Sequence, residues 1–223
     1  MTREVLERRL HHLQDEVLNL GSMVEQSAVD AVTALRRLDV AAAQKIEIRD
    51  DFINQRRFAI EEECLVMMAT QQPMAHDLRL LAAILEVITE LERMGDYVKG
   101  IAHITTLLGP EPIPPGLLEP FVVMVIQANS MLHRALSAFI SGDDKTARTI
   151  PSEDDQVDRL YNQIYRDLIQ KMVSDPTTID RATHLLWVAH NLERFADRVT
   201  NICERTVFLA TGEMTEFSVS GGD

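Results

Sequence analysis

Apolar and polar positions alternate along this chain with a helical period. Leu80, Ile84, Val87, Leu91, Met94, Val98 and Ile101 follow one another at steps of four and three, and Leu185, Val188, Leu192, Phe195, Val199 and Ile202 repeat the pattern. Such steps keep one stripe of a helix turned toward its partners, as in a heptad seam. Breaking residues divide the rest into predicted helices over about 4–38, 40–70, 74–108 and 117–141, a fifth starting after Gly142 and Asp143 and running to about Val173, and a last over 178–210. Asp39 is placed to cap the second helix. Gln71, Gln72 and Pro73 end it, Gly109 and Pro110 end the third, and Asp175 with Pro176 separates the last two.

Helices of about 25 to 35 residues are roughly 37 to 52 Å long, and short connections between them force antiparallel neighbours. The predicted fold class is all-α: two tandem, pseudo-symmetric antiparallel three-helix bundles over residues 1–109 and 117–212. A Pro-rich linker, 110–116, joins them, and a frayed tail, 213–223, follows.

The tandem reading rests on internal similarity. Leu91, Glu92, Arg93, Met94, Gly95, Asp96 reappears as Leu192, Glu193, Arg194, Phe195, Ala196, Asp197, a shift of 101 that also pairs Val98 with Val199 and Ile101 with Ile202. Upstream, a shift of 104 pairs Asp50 with Asp154, Ile53 with Val157, Ile60 with Ile164 and Ala34 with Ala138. Similarity at fixed offset over about half a chain marks two copies of one supersecondary unit.

Composition adds exclusions. A net charge of −13 with no concentrated basic face argues against direct nucleic-acid binding. No run of 18 apolar residues is present and the first residues lack a signal-peptide core, so no membrane span and a cytoplasmic location are expected. Cys64 and Cys203 fall at non-equivalent repeat positions and are read as reduced packing thiols.

The repeated acids are the candidate chemistry. Glu92 with Asp96, and Glu193 with Asp197, are i, i+4 pairs on one helix face, a like-charge arrangement that costs an isolated helix about a few tenths of a kcal/mol. In the first repeat they continue an apolar row formed by Leu81, Leu85 and Ile88, a face that one three-helix seam does not consume and that is read as a self-association surface or as part of the join between the bundles, so the acids stand on partly sheltered surface. The preceding helices add Asp50 with Asn54, Asp154 with Asp158, and, in the first repeat alone, Glu47 with Asp51. Clustered oxygen donors suit Mg²⁺, Ca²⁺, Mn²⁺ or iron. A solvated acidic face with Arg93 and Arg194 as ion-pair partners is the alternative. The histidines form no Glu-x-x-His pairs of a di-iron oxidase, and there is no phosphate loop, nucleophile elbow or Cys-His constellation, so no enzyme is expected.

The phrases Leu91–Asp96 and Leu192–Asp197, the Asp77, Leu78, Arg79, Leu80 run, the Asn201, Ile202, Cys203, Glu204 run, and the positions of Asp50 and Asp154 together resemble the PhoU family of phosphate-signalling proteins. The likeness covers about residues 5 to 212. It implies two three-helix bundles, a dimer, and metal-binding acidic motifs at Glu92, Asp96, Glu193, Asp197, Asp50, Asp154 and Asp158, with the ion open among Fe, Mn, Mg, Zn and Ca. The implied role is to couple a phosphate ABC transporter, through its ATPase subunit, to a sensor histidine kinase, and to repress the phosphate-starvation response when phosphate is plentiful. The chain departs from the family pattern at Ala196, where Gly is usual, and at Asn54, which puts equal occupancy of the repeats in question. A metal-binding bundle of another class, for storage or redox chemistry, and a structural helical adaptor are the competing readings.

Overall fold

The computed structural model describes residues 3–114 and 116–217. Among them every regular element is helical: α1 (Arg3–Arg37), α2 (Val40–Gln71), α3 (His76–Leu107), α4 (Glu119–Ser141), α5 (Asp144–Thr149), α6 (Asp154–Ser174) and α7 (Ile179–Thr211), with single 3₁₀ turns at Ile150–Glu153 and Pro176–Thr178. The first three pack on one another as one bundle, and α4, the α5–α6 pair and α7 form the second. The fold class read from the periodicity is therefore the one observed.

The seams are where the spacing put them. Leu80, Ile84, Val87, Leu91, Met94, Val98 and Ile101 are all buried, as are Leu185, Val188, Leu192, Phe195, Val199 and Ile202. Asp39 caps α2 by accepting from the Ala42 amide at 2.9 Å, and Asp143 caps α5 by accepting from Thr146 at 3.1 Å. Cys64 and Cys203 are buried free thiols.

Three expectations are corrected. The fifth predicted helix is not continuous: Pro151 lacks the N–H an interior helical residue must donate, so a 3₁₀ turn at Ile150–Glu153 separates α5 from α6. The row Leu81, Leu85, Ile88 is not free for another molecule, because Leu81 and Ile88 are fully buried within the chain and Leu85 is half-buried. The tail is tied down over residues 213–217: the Phe217 amide donates to Glu204 at 2.8 Å and the ring packs on the core. Residues 218–223 of that tail lie outside the described residues.

The bundles meet along their length, not only at the linker. α3 lies against α7, and α1 against α4. Glu90 of α3, 8% exposed, accepts from Asn201 of α7 at 2.9 Å and from Arg198 at 3.5 Å. By the repeat offset Glu90 corresponds to Asn191 and Asn201 to Gly100, and Asn191 stands against Gly100 so closely that a Cβ there would lie 2.8 Å from its side-chain nitrogen. The same contact thus occurs twice with its partners exchanged, the signature of an internal two-fold axis between the repeats.

Candidate metal-binding acidic clusters

The second and third helices of each bundle bring the predicted acids together. In the first repeat, Asp50 of α2 is buried, and Glu92 and Asp96 of α3 stand half-buried and exposed beside it. Burial first, then the charges of Asp96 and Asp50, push Glu92 above the usual carboxylate range, and burial and the charge of Asp50 do the same for Asp96. A cation already sits here. Lys99, one turn beyond Asp96, places Nζ 2.9 Å from Asp50 Oδ2, and Asn54 donates to the same oxygen at 3.1 Å. The hydrogen bond and charge of Asp50 in turn hold the Lys99 ammonium above its usual pKa. The backbone permits this close packing because Gly95 faces Asp50: a Cβ there would lie 3.3 Å from Oδ1. Arg57, one turn beyond Asn54 on the same helix, adds a second positive charge felt by Glu92.

In the second repeat, Asp154 occupies the first turn of α6, directly after the 3₁₀ turn, and is 2% exposed. Neither of its oxygens has a hydrogen-bond partner among the described residues. Burial first, then the charges of Asp197, Asp158 and Glu193, push Asp154 up to about 7. Glu193 is likewise raised to about 7 by burial and by Asp197 and Asp158, against the opposing pull of Arg194 and Arg198. Asp158 and Asp197 are also raised, burial leading in both. All seven predicted residues therefore fall into two neighbourhoods, Asp50 with Glu92 and Asp96, and Asp154 with Asp158, Glu193 and Asp197.

Among the described residues no three His, Cys, Asp or Glu side chains already stand close enough to hold an ion. The fit to a metal differs between the repeats. In the second, the donors are all oxygen, and a buried carboxylate without a hydrogen-bond partner among the described residues leaves unspent charge for a hard cation. In the first, the Lys99 ammonium already neutralises Asp50 through Oδ2. Arg93 and Arg194, the salt-bridge partners of the alternative reading, act on these acids by charge but make their closest contacts elsewhere: Arg93 binds Glu90 at 3.0 Å, and Arg194 lies 5.9 Å from the Tyr97 ring centre.

Some participants were missed from sequence. Lys99, Arg57 and His190 carry no local motif, yet Lys99 and Arg57 bring charge to the first cluster and His190 brings Nδ1 within 3.5 Å of Glu193 Oε2. Reading the two repeats column by column would have exposed them, since Lys99 aligns with Thr200, Arg57 with Tyr161 and His190 with Thr89.

The description "PhoU domain" matches the chain twice, over residues 17–105 and 123–206. The chain is 33% identical over 219 residues to the phosphate-specific transport system accessory protein PhoU homolog of Clostridium acetobutylicum, covering 98% of this chain and all of that one. It is 36% identical over 216 residues to the homolog of Streptococcus pneumoniae serotype 4, covering 97% of this chain and all of that one. The crystal structure of PhoU from Pseudomonas aeruginosa superposes with a TM-score of 0.86 at 34% identity, covering 93% of this chain and 99% of that one. The Streptococcus pneumoniae phosphate transport system regulatory protein PhoU gives 0.87 at 35% identity, covering 95% and 100%.

Proposed function

Because the chain belongs to the PhoU family, we propose that it is a non-enzymatic accessory protein of a phosphate-specific transport system that represses the phosphate-starvation response when phosphate is plentiful. The observation that carries this reading is similarity to PhoU accessory proteins over nearly the whole chain, both repeats included. Its partners are the transporter's ATPase subunit and a sensor histidine kinase, met in the cytoplasm. Among the described residues no helix is long and apolar enough to cross a membrane. Contact with other proteins is then the available route to transcription, and the acidic surface makes those contacts salt-sensitive.

Metal held by the acidic clusters belongs to the same reading, supported by the orphaned oxygens of Asp154. A homodimer also belongs to it. Its physical ground is no longer the consumed α3 row but the exposed Ile48, Phe52 and Phe58 of α2. Light scattering that returns the monomer mass at micromolar concentration removes the dimer.

The test is genetic and biochemical together. Deleting the gene is expected to switch on phosphate-responsive genes in phosphate-replete medium, and the tagged protein is expected to retain the ATPase subunit and the kinase on affinity beads. Replacing Glu92, Asp96, Glu193 and Asp197 by Ala leaves the fold intact, since these side chains lie off the buried seams, but is expected to weaken repression. Full repression by the folded quadruple variant excludes the clusters as the signalling surface; a deletion without effect on those genes removes the regulatory role.

A further inference from the structure

We propose that the two acidic clusters are unequal by construction: Lys99 serves as the resident cation of the first, and only the second, centred on Asp154, takes up a hard metal ion. The inference rests on the reading that these clusters hold metal, and it deepens that reading by assigning the ion to one repeat.

Three aligned positions each move the second cluster toward negative charge by one unit, against one, Tyr97 to Arg198, that moves it back by one. Asn54 corresponds to Asp158, Arg57 to Tyr161 and Lys99 to Thr200. In the first repeat Asp50 Oδ2 is satisfied by Lys99 at 2.9 Å and by Asn54 at 3.1 Å, leaving only Oδ1 without a hydrogen-bond partner among the described residues. In the second, the buried Asp154 has no hydrogen-bond partner on either oxygen among the described residues, nor has the buried hydroxyl of Thr200, while Glu193 Oε2 has only His190 Nδ1 at 3.5 Å. A buried carboxylate without a partner is costly, and such groups in native proteins are satisfied by a counter-ion, water or a metal. An ammonium is a compact point charge on a flexible stem, so Lys99 can do for Asp50 what an ion would do for Asp154. The backbone agrees with the assignment. Gly95 gives room for the tight Asp50–Lys99 packing, whereas Ala196 stands at its place in the second repeat.

Mn²⁺ is the probe, because the free aqueous ion has a strong six-line paramagnetic signal that is broadened on binding. Metal-stripped full-length protein is titrated with Mn²⁺ near pH 8, with circular dichroism confirming that each variant is folded. Wild-type protein is expected to bind Mn²⁺, Asp154→Asn to bind it about tenfold or more weakly, and Asp50→Asn to bind it like wild type. Should Asp50→Asn fail to fold, Glu92→Gln combined with Asp96→Asn addresses the same cluster from its accessible side, again without loss of Mn²⁺. The double variant Asn54→Asp, Lys99→Thr, which copies the second repeat into the first, is expected to raise the number of ions bound. Mn²⁺ that is lost on disabling the first cluster, or shared between both, overturns the inequality while leaving metal binding in place. No Mn²⁺ on wild-type protein overturns the metal reading itself, and this inference with it.

Discussion

Asp154 carries a carboxylate into a buried place with no hydrogen-bond partner, and the consequence is a stability that runs against the usual direction with pH. Its pKa is about 7 in the fold, against roughly 3.9 in an unfolded chain, so between those values the folded state holds more protons. Stability from this group is present at low pH, falls as pH rises above about 4 and is gone once pH passes about 7, with a ceiling of about 1.4 kcal/mol per pH unit. Glu193 shifts in the same direction, and the two titrate as part of one coupled set. Metal-free Asp154→Asn protein is therefore expected to melt above wild type at pH 8, with the gap closing toward pH 4. A constant gap across that range, measured by thermal unfolding in EDTA, contradicts the assignment. The seven acids were legible in the sequence because i, i+4 spacing fixes which side chains share a face. Their cations were not, since whether Lys99 reaches Asp50 depends on the approach of α2 to α3, which no local spacing encodes.

For whole helices, legibility followed the strength of the signal. The heptad seams of α3 and α7 and the Asp39 cap are local patterns, and each is found in the fold. The break at Pro151 was also written locally, but the surrounding helical periodicity outweighed it in the reading. The packing of α1 against α4 has no local signature, because it turns in part on a missing side chain. Gly21 lets α4 approach so closely that a Cβ would stand 2.2 Å from Leu136 Cδ1, and Leu136 is itself buried. Gly21→Ala is expected to cost about 1–3 kcal/mol through overpacking, despite its better helix propensity. Combining it with Leu136→Ala should cost less than the two single changes added, measured by urea unfolding; simple additivity would show that the two do not meet.

Across the molecule, the two-fold axis joins halves that no longer match. Glu90→Ala would leave Arg198 and Asn201 short of an acceptor at the α3–α7 contact, and a loss of about 3 kcal/mol in unfolding free energy is expected. A loss below about 0.5 kcal/mol would place that contact among solvent-screened surface pairs. The same contact governs which half can recognise which. Two first repeats set together about that axis would place each Glu90 against a Gly100, leaving each carboxylate only Arg93 of its own helix as donor, while Glu90 opposite Asn201 gains a second. Cut at the Pro-rich linker and produced as separate chains, the halves should therefore find each other in preference to themselves. The connecting peptide holds together a pair whose mutual choice is already inscribed in its facing surfaces.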